Sequence, residues 1–395
     1  MKTPHILLHS GWDTFNLGDI GHTPGALRLL EQHLPETPVT LWLENSNEEI
    51  RQHFKTRFPN VTIVQGGFSD GEPCGKELLE AFDRATLFVR SSGMGWPFPT
   101  FKYCRRIRLA YGVIGNSFNN DFPYGDDELI EILRGALFVY ARESNTLETL
   151  QRAGLYSPQT QFAPDTCLAT DLRDDSAGDA FLQQYGLEAG RYLTFQLRTY
   201  THKHPGVDGG PLNPLHPTPE NIKHDERRAA KFRHVITGWV RRTGQPALLA
   251  LEVKKELAHN RRLIVDQLPD DVRKKVIVPQ TFWNLPTAAS VLARATLSLC
   301  HEPHTLLLAL ANGTPVIHAY TEDHGPKWRM FNDFGLTESL ISLDRVPAET
   351  LLKACLSTAA ESTSARARVV KAMELAELRW KSALAPLFRY CKPNK

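Results

Sequence analysis

The chain has 395 residues, of which 42% are hydrophobic and 23% charged, as in an ordinary globular protein. This length exceeds one compact core, so two domains of roughly 150–200 residues are expected. The 46 basic and 44 acidic residues leave a net charge of +2, which does not favour nucleic acid or an anionic membrane as the partner.

Neither hydropathy nor cysteine spacing indicates export or an integral membrane segment. The apolar run near the start, residues 6–8, is far too short for a signal peptide, and no run approaches about 18 apolar residues. The six cysteines lie far apart with no CxxC pair, which argues against a disulfide scaffold or a zinc ribbon. We therefore expect a cytoplasmic protein with no integral membrane segment, for which only peripheral contact with a membrane stays open.

The first half alternates short apolar runs with amphipathic stretches. Thr23 can cap a helix with Pro24 at its first position, so we expect a helix to about His33. Asn145 can cap another helix, which Gly154 would close. Strands that alternate with helices predict a parallel sheet covered on both faces. The predicted strands of this half are 6–8, 39–43, 61–64, 87–89, 113–114 and 137–140.

The second half repeats this alternation. Its predicted strands are 192–197, 247–251, 276–278, 297–299 and 316–319, and its predicted helices 226–241, 254–267, 303–311 and 327–334. The polar segment 171–190 separates the halves, and a tail with helical apolar spacing follows. We therefore expect an α/β fold of two Rossmann-like parallel-sheet domains facing across a cleft: a first domain over 1–175, a second over 190–345, and C-terminal helices over 346–395 packed on the body.

Residues 199–224 interrupt this order. Five prolines, three glycines and four histidines make a regular element implausible there. The segment follows a strand end, where open α/β sheets bind ligands. We expect a long loop that is either poorly ordered or acts as a lid or acceptor-binding segment.

Three segments carry candidate chemistry. The first contains Asn16, Gly18 and Asp19 after the first strand, where a glycine lets the backbone approach a ligand. The second delivers Arg142 and Glu143 to a sheet edge ahead of a helix N-terminus, with Pro164 and Asp165 downstream; the helix end favours anions, although an Arg beside a Glu also forms structural ion pairs. The third begins a buried helix with His304 after the strand 297–299 and continues through Gly313 and Pro315 to Lys327.

In this order and at these intervals, the three segments resemble the polysaccharide pyruvyl transferase family over residues 5–340. The resemblance implies two Rossmann-like domains, as in GT-B glycosyltransferases. It also implies phosphoenolpyruvate as the donor and a sugar of a cell-surface glycan, or of its lipid-linked precursor, as the acceptor. The family has an arginine two residues before the motif histidine, whereas this chain has Glu302. Another cation must then hold an anionic donor, and Arg198 and Arg329 are the candidates.

The chemistry that the resemblance implies assigns roles to the motif residues. Protonation of the methylene carbon makes an enol ether electrophilic, and histidine is suited to supply this proton near neutral pH. Hydroxyls of the acceptor then attack, a carboxylate removes their protons, and phosphate leaves. The catalytic candidates are His304 as acid and Asp165, Glu143 and Asp19 as bases; the donor-binding candidates are Arg142, Arg198, Lys327, Asn16 and Gly18. The scheme needs neither a cofactor nor a metal.

Three alternatives stay open. A glycosyltransferase of the same fold would use Arg198, Lys327 and Glu322 for the diphosphate and sugar of a nucleotide-sugar. A non-catalytic glycan-binding or assembly protein could also keep the fold, and Glu302 favours both of these alternatives. A metal site is the third, built from His301, Glu302, His304 and His318.

Overall fold

A computed structural model describes residues 3–11, 13–94, 98–117, 127–199, 219–254 and 256–391. The chain divides into two compact units. The main segment of the second unit begins at Leu172, ahead of the predicted start at 190, and the tail 346–395 is divided between the units. The first unit comprises Met1–Thr14, Asp19–Asp171 and Glu374–Lys395, and the second comprises Phe15–Gly18 and Leu172–Met373.

Within the described residues, the first unit contains an eight-stranded parallel sheet and a two-stranded antiparallel hairpin. The sheet order is β10-β9-β8-β6-β1-β2-β3, with β7 beside β8, and β4 pairs with β5. The strands are β1 Ile6–Ser10, β2 Val39–Leu43, β3 Thr62–Gln65, β4 Gly67–Ser69, β5 Glu72–Cys74, β6 Leu87–Arg90, β7 Gly93–Met94, β8 Ala110–Ser117, β9 Phe138–Ala141 and β10 Thr160–Phe162.

Amphipathic helices connect these strands and cover the sheet. Their apolar faces bury against strand residues in one core that includes Leu7, Phe82, Phe88, Val113 and Leu150. The helices are α1 Leu17–His33, α2 Glu48–Arg57, α3 Lys76–Arg84, α4 Phe98–Arg106, α5 Asp127–Arg134 and α6 Ser144–Arg152.

The first helix begins earlier than the sequence indicates. The prediction of a start at Thr23 and Pro24 is wrong, because α1 begins at Leu17 and encloses both residues. The first amides of the helix find other partners: the Asn16 side chain accepts from the amide of Gly18 at 2.8 Å, and the amide of Leu17 donates to a backbone carbonyl at 3.0 Å. Asn145 likewise lies inside α6, and Glu143 occupies the position before its first turn.

The second unit has a six-stranded parallel sheet among its described residues, in the order β13-β12-β11-β14-β15-β16. Its strands are β11 Leu193–Gln196, β12 Ala247–Leu249, β13 Val276–Ile277, β14 Leu297–Cys300, β15 Val316–Tyr320 and β16 Leu340–Ser342. Its helices are α7 Asp175–Tyr185, α8 Pro219–Thr243, α9 Glu256–Leu263, α10 Asp270–Arg273, α11 Leu285–Ala293, α12 Pro303–Ala311, α13 Arg329–Asp333, α14 Ala348–Ala360 and α15 Ser362–Cys391, the last of which continues into the first unit from Glu374.

The predicted loop 199–224 falls mostly outside the described residues, which leave out 200–218. Its last part is not a loop, because α8 already begins at Pro219. The start at proline is physically sensible, since a first-turn residue needs no intrahelical amide bond and the proline ring sets the backbone angle of a helix.

No helix in the described part of the chain combines the length and the apolar character that crossing a membrane requires.

Candidate active site

His304 lies in the first turn of α12, directly after the carboxyl end of β14. Pro303 precedes it near the first helical position and favours a helix start there. The imidazole is only 3% exposed and packs on the backbone of Gly18, where a Cβ atom would lie 2.3 Å from the His304 Cγ atom. The motif glycine therefore provides room for the motif histidine, which requires the absence of a side chain.

Two buried carboxylates contact the same nitrogen of His304. The Nδ1 atom lies 3.1 Å from Glu252 Oε1 and 3.4 Å from Glu302 Oε1. Burial alone would lower the pKa of His304, but the hydrogen bonds that it donates to Glu252 and Glu302 outweigh burial and raise that pKa to about 9. His304 is therefore a cation at neutral pH, and its Nδ1–H is held by carboxylates.

Glu252 is itself fixed by the start of α12. Its Oε2 atom accepts hydrogen bonds from the amide of Thr305 at 3.0 Å and from the Thr305 hydroxyl at 2.8 Å. The backbone carbonyl of Glu252 accepts from the amide of Leu17 at 3.0 Å, and Asn16 forms a backbone bridge with Val253. Asn16, Leu17 and Gly18, the segment that follows β12, and the motif histidine thus lie together within the second unit.

Glu302, at the position where the resemblance implies an arginine, is paired with a cation that follows another strand. Its Oε2 atom accepts a hydrogen bond from Arg198, which follows β11. Burial would raise the pKa of Glu302, but Arg198, His304 and Lys327 together hold it well below its usual range. Arg198, Glu302 and Lys327 line a small cavity together with His318, Tyr320 and Trp328.

A third buried acid, Glu256, is linked to this group through Gln196. Glu256 is buried at the start of α9 and accepts a hydrogen bond from the Gln196 amide, whose oxygen accepts from the backbone amide of Glu302 at 3.3 Å. Burial raises the pKa of Glu256 well above its usual value. Gln196 therefore links the carboxyl of Glu256 to the backbone of Glu302.

The segment that carries Lys327 is anchored to α8. The buried Arg228 donates to Asp323 Oδ2 at 2.9 Å, and it bonds both oxygens of Asp344, at 2.9 Å and 2.5 Å. Asp323 and Asp344 follow β15 and β16 along the chain. Arg228 therefore ties together the ends of two neighbouring strands, one of which leads directly to Lys327.

The four-residue metal site considered from the sequence is not the arrangement that the structure shows. His301 uses both ring nitrogens in hydrogen bonds, to the carbonyl of Arg198 at 3.1 Å and to the hydroxyl of Thr321 at 2.9 Å, and His318 bonds the carbonyl of His301 at 2.9 Å. Within the second unit, a set of described residues that could hold a metal ion is Glu252, Glu302 and His304, whose donor atoms lie within 4.8 Å of one another. The guanidinium of Arg198, which is hydrogen-bonded to Glu302, adds positive charge beside this set and so opposes the binding of a cation there.

The second motif forms a buried ion-pair cluster in the first unit. Arg142, 1% exposed after β9, donates to Asp165 Oδ2 at 2.5 Å and to the hydroxyl of Ser117 at 2.5 Å. Ser117 in turn donates to Glu143 at 2.8 Å. Asp165 also faces His22 Nε2 at 3.1 Å and accepts the amide of Cys167 at 2.8 Å. Arg142, Ser117, Glu143 and Asp165 therefore form one buried cluster of charged and polar groups.

The structure therefore groups the predicted site residues in two sets. Asn16, Gly18, Arg198, His304 and Lys327 belong to the second unit and lie at or near the carboxyl ends of its strands. Arg142, Glu143 and Asp165 belong to the first unit, as does the half-buried Asp19 in the first turn of α1.

Sequence reasoning missed Glu252, Glu256 and Gln196. A signal existed for Glu252, since an acidic residue follows the apolar strand A-L-L-A-L directly, at a position where parallel sheets place ligand-binding groups. No local pattern marks Gln196 or Glu256, because their contacts join residues far apart in the chain.

Two parallel-sheet α/β units with charged side chains gathered at strand ends define a Rossmann-like α/β protein of the kind found in GT-B glycosyltransferases. A family model for polysaccharide pyruvyl transferase matches residues 16–324, and the chain belongs to this family. The resemblance drawn from the motifs is thereby confirmed. No curated protein matches the chain at a significant level.

Solved structures confirm the fold class. UDP-GlcNAc 2-epimerase from Neisseria meningitidis, bound to UDP-GlcNAc, has a TM-score of 0.60 at 8% identity and covers 98% of this chain and 100% of its own. MnaA from S. aureus, in a co-structure with UDP, has a TM-score of 0.62 at 10% identity, covering 100% and 99%. HepE from Anabaena, in complex with UDP and glucose, has a TM-score of 0.57 at 12% identity, covering 95% of each chain. At such identities the likeness concerns the fold alone.

Proposed function

We propose that this chain transfers the pyruvyl group of phosphoenolpyruvate to two hydroxyls of a cell-surface glycan or its lipid-linked precursor, forming a ketal and releasing phosphate. The observation that carries the proposal is the buried His304, whose Nδ1 atom contacts Glu252 and Glu302, two carboxylates that raise its pKa to about 9. Membership of a transferase family supports the reaction class. The wide spacing of the six cysteines supports a cytoplasmic location.

The reaction first requires a proton on the methylene carbon of phosphoenolpyruvate. Because Glu252 and Glu302 hold Nδ1 of His304, the proton delivered to the methylene carbon of the donor leaves from Nε2. The second carbon then carries positive charge, and the first acceptor hydroxyl forms a bond to it while losing its proton to a carboxylate. The carbon–oxygen bond to phosphate breaks, and the second hydroxyl closes the ketal. One released proton restores His304, and the other leaves on the phosphate.

The anionic donor needs cations, and the second unit supplies them without the usual arginine. Arg198 approaches from β11 and Lys327 from the segment after β15, and both act on Glu302. Arginine can bind a carboxylate or phosphate through two parallel hydrogen bonds. We propose that Arg198 serves as the substitute donor-binding cation, with Asn16, Gly18 and Lys327 beside it.

The residues of the first unit enter the proposal as acceptor-activating groups. Asp165, Glu143 and Asp19 are the candidate bases for the hydroxyl protons. Arg142 stays a candidate for donor contact, although its contacts with Asp165 and Ser117 support a role in holding that carboxylate in place.

Calorimetric titration with phosphoenolpyruvate, together with phosphate release in the presence of acceptor saccharides, tests the proposal. We expect Arg198→Met to weaken donor binding by about one to two orders of magnitude, since a hydrogen bond to a charged group contributes roughly 1.5–3 kcal/mol. His304→Gln should bind the donor nearly as well but release phosphate about 10²–10⁴-fold more slowly. Arg241→Met is the matched control, because Arg241 is exposed on α8 and pairs with Asp271 at 3.0 Å. Undiminished turnover in His304→Gln would refute the assignment of the acid.

A second candidate function is glycosyl transfer from a nucleotide-sugar. The observation that favours it is Glu302, whose carboxylate already neutralises Arg198 and offers an acceptor for sugar hydroxyls. The UDP and UDP-sugar bound by similar folds make UDP and GDP the natural ligands for comparison. Tight binding of a nucleotide without binding of phosphoenolpyruvate would select this function. Binding of a glycan alone would select a non-catalytic role.

A further inference from the structure

Three exposed apolar side chains lie on neighbouring loops of the first unit. Ile107, Leu137 and Tyr156 are 40%, 43% and 63% exposed. They lie shortly before β8, β9 and β10 respectively, and these strands are neighbours in a parallel arrangement. Because the amino ends of parallel strands meet at one sheet edge, the three loops form one continuous edge surface.

Hydrogen bonds between the loops hold this surface together. The Gln159 side chain, before β10, donates to the carbonyls of Leu133 at 2.9 Å, Arg134 at 3.0 Å and Ala136 at 2.5 Å, all before β9. The Tyr111 hydroxyl of β8 donates to the carbonyl of Ile132 at 2.6 Å. The exposed apolar residues are therefore carried on mutually braced loops.

The same loops carry an excess of arginine. Arg106 and Arg134 have acidic partners, Glu72 and Glu131. In the part of the chain that the structure describes, Arg105 and Arg108 are exposed and have no acidic residue within ion-pair distance. The exposed arginines of this edge are Arg105, Arg106, Arg108, Arg134 and Arg152.

Helix dipoles explain only part of this arrangement. Basic residues in the last turn of a helix are stabilising, which accounts for Arg105 and Arg106 in α4 and for Arg134 and Arg152 in α5 and α6. Arg108 lies beyond the end of α4, and a dipole gives no reason to expose Ile107, Leu137 and Tyr156. Since the whole chain has a net charge of only +2, this edge concentrates positive charge that the overall balance conceals.

We infer that this edge, the basic–apolar edge, docks the protein reversibly on an anionic phospholipid surface. The apolar side chains would enter the interface between head groups and acyl chains while the arginines contact lipid phosphates, with their aliphatic stems along the same boundary. Charge complementarity favours an anionic bilayer over a neutral partner. The edge lies at the amino ends of the strands, away from the polar residues at their carboxyl ends, so the inference goes beyond the proposed catalysis and does not depend on it.

Sedimentation of the full-length chain with vesicles tests the inference. The vesicles are pure phosphatidylcholine, or phosphatidylcholine and phosphatidylglycerol in equal parts, each at low and high salt. We expect binding to the anionic vesicles alone, weakened by salt. Arg105→Glu with Arg108→Asn changes the charge by three units and should weaken partitioning roughly a hundredfold, at about 1 kcal/mol per charge near the surface. Asparagine is chosen because Arg108 has a φ of 56°, which asparagine adopts readily.

The matched charge control is Lys353→Glu with Lys371→Asn, an equal change at exposed positions of α14 and α15. A second variant replaces Ile107, Leu137 and Tyr156 by serine and should weaken partitioning roughly tenfold or more, whereas Val370→Ser with Leu378→Ser should not. Equal binding to both vesicles, or equal loss in the controls, would overturn the inference. So would a change of molecular mass between wild type and the variants without vesicles, which would make the edge a protein interface.

Discussion

Glu252→Gln perturbs the proposed acid through its nearest carboxylate. In the wild type, Glu252 Oε1 accepts from His304 Nδ1 at 3.1 Å, and Thr305 occupies the other oxygen. A glutamine that keeps its oxygen on Thr305 turns an amide donor toward Nδ1–H. The lost hydrogen bond to a charged group is worth roughly 1.5–3 kcal/mol, which at about 1.4 kcal/mol per pH unit lowers the pKa of His304 by about one to two pH units. The contact between His304 and Glu302 remains in this variant, so part of the rise in the pKa of His304 is kept.

The direction of the pH effect on turnover follows from the role of His304 as the proton donor. The acid acts in its protonated form, so turnover is full below the pKa of His304, about 9, and falls as pH rises through it. In Glu252→Gln this alkaline limb should therefore move to roughly pH 7–8. The pH dependence of phosphate release measures the limb, and the imidazole proton resonance that disappears in His304→Gln measures the pKa directly.

Two outcomes distinguish the electrostatic role of Glu252 from the catalytic role of His304. A His304 resonance that titrates at the same pH in both proteins would refute the electrostatic role of Glu252. A resonance that moves while the rate profile does not would show that His304 is not the acid. Glu44→Gln is the matched control, since Glu44 Oε2 lies 3.3 Å from His9 Nε2 in the other unit and should leave both measurements unchanged.

Three further predictions concern packing and stability. Gly18→Ala should cost roughly 1–3 kcal/mol and slow turnover, because its Cβ atom would lie 2.3 Å from His304 Cγ, whereas Gly67→Ala meets nothing within 4 Å; thermal melts and phosphate release compare the two. Arg142→Met should destabilise the fold by roughly 3–5 kcal/mol in urea titration, because it leaves the carboxylate of Asp165 buried without its cation; a loss of donor binding at unchanged stability would instead support donor contact. The raised pKa of His304 contributes stability that is complete below pH 6.5 and is lost as pH rises through about 9, so the wild-type melting temperature should fall across this window more than that of His304→Gln; equal slopes would contradict it.

The fold could be predicted because its strands are short, apolar and separated by amphipathic helices. The predicted strand 39–43 matches β2, and the predicted helix 303–311 matches α12. The helix α11, Leu285–Ala293, was not predicted, since its sequence L-P-T-A-A-S-V-L-A is almost uniformly apolar and lacks the periodicity of a half-exposed helix. The early start of α1 depends on a bond from Leu17 to the backbone of Glu252, which no local pattern can reveal.

The candidate site was predictable only where a motif marks it. His304 and Gly18 were found as separate motif residues, and the structure adds that one packs on the other. The pKa of His304 could not be predicted, because it depends on Glu252, which arrives from a different strand. Arg198 was inferred as a substitute cation from its position after a strand, and in the structure it donates a hydrogen bond to Glu302.

The exchange of the family arginine for Glu302 changes the local charge by two units, and the structure indicates how this is accommodated. A buried carboxylate with no partner would be costly, so a cation must accompany it. Arg198 does so from β11, while Glu302 also contacts the proposed acid. The carboxylate therefore couples two functions that an arginine would keep apart: it holds Arg198 in place and raises the pKa of His304. An arginine at 302 would repel both groups, so Glu302→Arg should lower the pKa of His304 even where it tightens donor binding. The test measures both the pKa of His304 and the affinity for the donor in Glu302→Arg and in the wild type. Tighter donor binding with an unchanged pKa of His304 would contradict this coupling.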